Sequence, residues 1–365
     1  MTPRRKVLVA GVSGLVGYAA AKRFSRDPLW DVVGLARRRP ERLEHVETVS
    51  VDLTDRAACH TAISALTDVT HVVYAALYEK PGLVGGWVDR DQMDTNLGML
   101  QNLLDPLLSA SPVEHISLLQ GSKAYGVHLG PMKVPGRERE PRHQHENFYW
   151  LQQDDLLARQ KTAAFAWTVM RPQVIFGEAL SSNFNSIAAI GIYAALQRER
   201  GQALDYPGGR AVVAEGVDSD LLADALFWAA TAPGCRNEIF NITNGDVFSM
   251  ENVWPTIADA FGMEVGEQRP ISLAEDMPAR QEEWEKVHAR FGLCSPRDLS
   301  AFVGQSFIYA DLLLGYGIDE YVPAALISTI KARQAGFAEC MDTEDMFRKW
   351  IAHFQRIGLL PPRTW

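Results

Sequence analysis

Lys6-Val-Leu-Val-Ala10-Gly11-Val-Ser-Gly14-Leu-Val-Gly17 decides how the chain is read. A short apolar run ends in three glycines at a spacing of three, and a helical pattern over Leu15 to Arg26 follows. Between a strand and a helix, such glycines serve a tight turn, close approach of a pyrophosphate to the backbone, and close helix–strand packing. The stretch Gly11, Ser13, Gly14, Leu15, Val16, Gly17 is therefore read as a dinucleotide-phosphate loop. An ordinary structural turn is the alternative.

Working outward, short apolar runs alternate with longer helical patterns, the signature of a parallel sheet with helices on both faces. Strands are expected at Lys6–Ala10, Asp31–Ala36, Thr48–Val51, His71–Ala75, His115–Leu119 and Ala166–Arg171, about six in parallel. Helices are expected at Leu15–Arg26, Arg56–Leu66, Asp91–Leu108 and Tyr149–Lys161. Beyond Pro172 the pattern loosens into a helix Phe184–Arg200, a return through Asp218–Ala230 and a strand Glu238–Ile242. Helical, aromatic-rich segments follow at Ser249–Gly262, Ala279–Phe291, Tyr321–Ala335 and Asp342–Phe354. The expected class is α/β, a Rossmann-type doubly wound sheet over 1–177 with a return segment near 211–248. A smaller, mainly helical substrate-binding lobe is assigned to 178–210 and 249–365.

Composition narrows the partners. The 365 residues are 47% hydrophobic and 22% charged, an ordinary globular balance. A formal charge of −9 opposes a general nucleic-acid surface, which needs clustered Lys and Arg. No apolar stretch reaches the roughly 18 to 20 residues of a membrane helix, so a soluble protein is expected. Cys59, Cys235, Cys294 and Cys340 are scattered without a CxxC pair, which fits a reduced cytosol better than a disulfide framework or a zinc site. His115, His128, His143 and His145 have no acidic or Cys partners at metal spacing, and are read as surface histidines with no metal.

Strand two ends in Ala36-Arg37-Arg38-Arg39, where an NAD-selective protein usually carries a carboxylate for the ribose 2′-hydroxyl. Arg37 and Arg38 suit the 2′-phosphate instead, so NADPH/NADP+ is the expected cofactor; a solvated basic loop is the alternative. Asp52 and Leu53 are expected at the adenine edge, with Ala75 and Ala76 leaving room for ribose and pyrophosphate.

Tyr-x-x-x-Lys, the usual hydride-transfer pair, occurs literally only at Tyr18-Ala-Ala-Ala-Lys22, on the helix that opens at the glycine loop. It is read as structural. Where the pair belongs, after strand five, stand Gln120-Gly-Ser-Lys123-Ala-Tyr-Gly126, Gly130-Pro131 and Asn147-Phe-Tyr149-Trp-Leu-Gln-Gln-Asp-Asp155. With the GxxGxxG loop, this resembles the progesterone 5β-reductase/iridoid synthase group of atypical short-chain dehydrogenase/reductases. That group carries its Lys in a TGxKHYxGP-like stretch and its Tyr in an NFYYxxED-like stretch. Ala36-Arg-Arg38, Trp167-Thr-Val-Met-Arg-Pro-Gln-Val-Ile-Phe-Gly177 and Phe240-Asn-Ile-Thr-Asn-Gly-Asp-Val-Phe248 extend the likeness over nearly the whole chain.

The resemblance implies Tyr149 and Lys123 as the catalytic pair, with both, together with Pro172, Val174 and Ile175, also lining the cofactor. It further implies NADPH-dependent 1,4-reduction of a small hydrophobic enone or enal. Departures are Gln120-Gly-Ser122 before the Lys, Ala124 for a His, Trp150 for the second Tyr, Gln153 for a Glu, and a shorter Lys-to-Tyr interval. They concern the residues that shape a substrate pocket. Two other readings stay open: an extended-type carbonyl reductase or nucleotide-sugar epimerase, and a non-catalytic NADP-sensing regulator. A homodimer is also left open.

Overall fold

The computed structural model describes residues 4–40, 42–80, 85–179 and 185–364, in two compact units. The first comprises 4–173, 219–243 and 327–339 and is built on a seven-stranded parallel sheet. Its strands are β1 (Arg5–Ala10), β2 (Trp30–Ala36), β3 (Glu47–Ser50), β4 (His71–Tyr74), β5 (His115–Leu119), β6 (Ala166–Pro172) and, at one edge, Glu238–Ile242. Their order is β3-β2-β1-β4-β5-β6 followed by Glu238–Ile242, so the chain reverses direction across the sheet between β1 and β4. Val7 to Ala10 and all of β4 are buried, as a sheet covered on both faces requires.

The helices are α1 (Leu15–Ser25), α2 (Arg56–Ser64), α3 (Arg90–Ala110) and α4 (Phe148–Gln160), with Ser219–Thr231 packed against α1. Each of α2, α3 and α4 starts at a side-chain cap: Asp55 accepts from the Ala58 amide, Asp89 from Asp91 and Gln92, and Asn147 from Tyr149. No side chain caps α1 at Gly14.

The second unit comprises 174–218, 244–326 and 340–364 among the described residues. The helix Ser186–Glu199 is buried on nearly every side; Phe184, where it was expected to begin, lies outside the described residues. Trp254, Trp284, Phe302, Phe347 and Phe354 fill the core around it.

Two boundaries depart from the sequence reading. The first unit ends at Gln173 rather than near 177, and within the return segment 211–218 and 244–248 belong to the second unit. Residues 327–339 rejoin the sheet because Asn241 Nδ2 donates to the Ser328 and Gly136 carbonyls and Lys331 Nζ pairs with Glu238 at 2.6 Å. The expected helix Tyr321–Ala335 shrinks to Ile330–Gln334: Pro323 has no amide to donate inside a helix, and Tyr321 and Val322 beside it stay exposed, so packing does not offset the break. Helices Leu299–Val303 and Ser306–Leu314 were not foreseen, since glycines at 304 and 315 cut their apolar pattern short.

Candidate functional site

The glycine loop is shaped by lack of room. Gly11 has φ +81°, and a Cβ there would lie 2.7 Å from the Ala75 carbonyl oxygen; one on Gly17 would lie 2.2 Å from the Gly11 oxygen. Gly14 is different, since its Cβ would meet only an ordinary contact at 3.5 Å. It begins α1 with its amide donating to the Gly11 carbonyl at 3.0 Å. The first turn of α1 thus presents backbone amides without a side-chain cap, the arrangement that receives phosphate. Beside it Ser13 is exposed, Val16 half-buried and Leu15 buried.

Arg37 and Arg38 follow β2 on the surface, and among the described residues neither forms an ion pair. Asp52 lies beyond β3, half-buried, with one carboxylate oxygen accepting from the Thr54 amide at 2.9 Å and the Thr54 hydroxyl at 2.8 Å. The amide bond leads in holding its pKa below the usual carboxylate range, and Arg37 adds to it. Leu53 is buried, its carbonyl accepting from Asn102 at 2.8 Å. Ala75 and Ala76 are half-buried beside Gly11. Pro172 closes β6 in the first unit; Val174 and Ile175 open the short strand Val174–Phe176 of the second.

Lys123 lies in the single turn Ser122–Tyr125 beyond β5, and Tyr149 is the second residue of α4. Trp87, from the segment between β4 and α3, joins them. The Lys123 ammonium sits 3.9 Å from the centre of the indole, while the Tyr149 ring meets the same indole edge-on at 5.3 Å. Glu79 accepts from Trp87 Nε1 at 3.3 Å. Gly121 leaves space for the phenol: a Cβ there would come 3.3 Å from the Tyr149 hydroxyl oxygen.

Burial pushes the Lys123 ammonium down to about 8, against a smaller opposing pull from Glu79. Burial likewise raises the Tyr149 phenol well above its ordinary value; Glu79 adds to the rise and Arg171 opposes it. Tyr149 is thus a protonated donor throughout the physiological range, and Lys123 is a cation that titrates within reach of it.

Gln120 ties this site to the sheet. Its Nε2 donates to the Tyr149 carbonyl at 3.3 Å and to Gln153 Oε1 at 3.2 Å, and its Oε1 accepts from Arg171 Nε at 2.9 Å. Gln120 and Gln153, two departures from the family motif, are therefore hydrogen-bonded partners of one another. Arg171, buried at the end of β6, lies 5.1 Å from the Tyr125 ring centre and 5.6 Å from that of Trp150.

Trp87, Glu79 and Arg171 escaped the sequence reading. The available signal was position: Arg171 stands at the carboxyl end of β6, and Glu79 and Trp87 lie on the long segment that leaves the carboxyl end of β4, the side on which ligands bind in such folds.

The histidines correct an expectation. His115 is buried within β5, its Nε2 2.9 Å from Thr168 Oγ1, and burial pushes it down to about 3. His128 has both ring nitrogens shielded, and His145 is half-buried; only His143 of the four is exposed. Packing against Trp87 and Trp150 accounts for the burial of the loop pair. Among the described residues no group of three His, Cys, Asp or Glu side chains is arranged to hold a metal, and no helix is long and apolar enough to cross a membrane.

The fold and the glycine loop together define a dinucleotide-binding α/β protein. Residues 7–243 match the model of the NAD dependent epimerase/dehydratase family, and the chain belongs to that family. Within it, the chain is 30% identical to an (S)-8-oxocitronellyl enol synthase of Nepeta racemosa, covering 97% of this chain and 92% of the relative. It is 34% identical to the enzyme of that name from Camptotheca acuminata, covering 84% and 82%. A 3-oxo-Delta(4,5)-steroid 5-beta-reductase of Arabidopsis thaliana is 30% identical, covering 97% and 92%. These relatives are of the progesterone 5β-reductase/iridoid synthase kind that the motifs indicated. Among solved structures, UDP-glucose 4-epimerase of Bifidobacterium longum in complex with NAD+ and UDP superposes with a TM-score of 0.66 at 15% identity, covering 96% of this chain and 98% of that one. That likeness is one of fold.

Proposed function

We propose that the protein is an NADPH-dependent reductase of the carbon–carbon double bond of α,β-unsaturated aldehydes and ketones. The observation that carries the reading is the convergence of Lys123 and Tyr149 on Trp87, with Gly121 clearing the Tyr149 hydroxyl. The relatives named above support it, since their names describe an enol synthase and a steroid 5β-reductase. We assign cofactor binding and chemistry to the sheet unit and substrate selection to the second unit.

The cofactor residues fit the group. Gly11 lets the backbone approach a pyrophosphate, the uncapped first turn of α1 offers amides to it, and Arg37 and Arg38, exposed and without an ion pair among the described residues, suit a 2′-phosphate. When bound, NADPH supplies the hydride. Tyr149 donates a hydrogen bond to the substrate carbonyl oxygen, on which enolate charge develops as the β-carbon is reduced. Burial keeps the phenol protonated, so the donor is present before charge appears. Lys123 binds the nicotinamide ribose and adds positive potential beside Tyr149. The α-carbon takes its proton from solvent. The site acts by orientation and electrostatics, without a nucleophile.

The test is NADPH oxidation over small enals, cyclic enones and steroid enones, with product analysis that separates alkene from carbonyl reduction. Turnover to the saturated carbonyl supports the reading; consumption of NADPH only with simple carbonyls, or binding without turnover, contradicts it.

A further inference from the structure

The loop between β5 and α4 carries a hydrogen-bonded chain that the proposed chemistry does not use. Asn147 is buried. Its Oδ1 accepts from the Tyr149 amide at 3.0 Å, and its Nδ2 donates to the Lys123 carbonyl at 3.4 Å. The same Nδ2 lies 3.1 Å from His145 Nε2, and His145 Nδ1 lies 2.9 Å from His143 Nδ1.

The partners fix every proton in this chain. A backbone N–H only donates and a backbone carbonyl only accepts, so the Asn147 amide has one orientation: oxygen toward Tyr149, nitrogen toward Lys123. His145 Nε2 therefore faces an NH2 group and must offer a lone pair. A neutral imidazole with a lone pair on Nε2 carries its proton on Nδ1. That proton is donated to His143 Nδ1, which leaves the His143 proton on Nε2. An amide turned the other way gives up both backbone bonds and sets its oxygen against the Lys123 carbonyl. Burial, and next to it His143, hold the His145 pKa below its ordinary value, which favours the neutral ring that this chain needs.

From these contacts we infer that Asn147 is a positioning residue that holds Lys123 and Tyr149 in register, its amide locked by His145 in the Nδ1–H tautomer. Lys123 and Tyr149 stand on separate elements, a turn after β5 and the first turn of α4. One side chain bonds the backbone of both. The inference rests on the reading of Lys123 and Tyr149 as the catalytic pair.

The experiment has two readouts on the full chain. Side-chain 15N spectra of His145 are expected to report the Nδ1–H tautomer in the unsubstituted protein, and an Nε2–H tautomer there overturns the inference whatever the activity. Asn147→Asp keeps the cap, because a carboxylate oxygen accepts from the Tyr149 amide, but it cannot donate to Lys123 or to His145. It is expected to move the His145 proton to Nε2 and to lower kcat roughly ten-fold on an enal, with KM changed less than about two-fold, as small misplacements of reacting groups do. Asn147→Asp at full kcat, beside a Tyr149→Phe variant that is impaired, overturns the positioning role alone. Full activity of Tyr149→Phe overturns the catalytic reading instead. Should Asn147→Asp not fold, His145→Phe, which keeps a ring but offers Asn147 no acceptor, is expected to lower kcat about three-fold; unchanged kcat there overturns the role.

Discussion

Gly121→Ala adds one methyl beside the hydroxyl on which the proposed chemistry depends. The backbone tolerates it, since φ −176° and ψ −169° are extended values open to any residue. Space is the only issue: the new Cβ meets the Tyr149 hydroxyl oxygen at 3.3 Å and the Pro172 carbonyl oxygen at 3.4 Å. Both contacts are slightly tight, so the phenol must retreat by a few tenths of an ångström. If a misplacement of about 1 Å costs about 10²-fold, that retreat costs about three- to ten-fold in kcat. Overpacking of this size lowers stability by about 1 kcal/mol. Steady-state NADPH oxidation with an enal gives kcat, cofactor titration gives Kd, and thermal unfolding checks the fold. The NADPH Kd is expected to stay within two-fold. In a Tyr149→Phe background the oxygen is gone, so Gly121→Ala is expected to cost nothing further. Unchanged kcat in the single variant, or the same loss in the Phe background, refutes the claim that the hydroxyl's position matters.

Replacing Arg37 and Arg38 by Gln is expected to weaken NADPH about ten-fold or more while leaving NADH nearly unchanged, as charged-group hydrogen bonds of about 1.5–3 kcal/mol imply; Kd values for both cofactors check it. Tyr18→Phe loses a hydrogen bond to the Arg42 carbonyl at 3.2 Å and is expected to cost about 1 kcal/mol of stability with turnover retained, measured by unfolding and by kcat. Lys123 titrates at about 8 in the free protein rather than at 10.5, so it is cationic below that pH and loses its charge above it. NADPH affinity should accordingly fall as pH rises through about 8, with proton uptake on binding seen by calorimetry in buffers of different ionisation enthalpy, and Lys123→Ala should abolish that dependence. Over the same range, from about 8 to 10.5, the unfolded chain binds the extra proton, so this group makes the free protein more stable as pH rises.

The sheet was legible because its strands are short apolar runs with polar ends. His115–Leu119 and Glu238–Ile242 coincide with their expected bounds, and the others shift by a residue or so. The glycine loop was legible for the same reason, since Gly11 and Gly17 are demanded by local crowding. Less could be read where tertiary contacts decide. Trp87 reaches Lys123 from a different loop, Arg171 meets Tyr125 and Trp150 across the sheet edge, and no sequence spacing joins them. Residues 327–339 return to the sheet through Asn241, whose side chain bonds the Ser328 and Gly136 backbone. His128 and His145 looked like surface residues because polarity along their loop hides the Trp87 and Trp150 rings they pack against, and His115 because nothing local shows that Thr168 of the neighbouring strand receives it.

The most direct test of the central claim compares the unsubstituted protein with Tyr149→Phe on one enal in the presence of NADPH, with product identification. The account predicts the saturated aldehyde as product and a loss of about 10²–10³ in kcat for Phe, with NADPH still bound. An allylic alcohol as product, or a Phe variant as active as its parent, contradicts it.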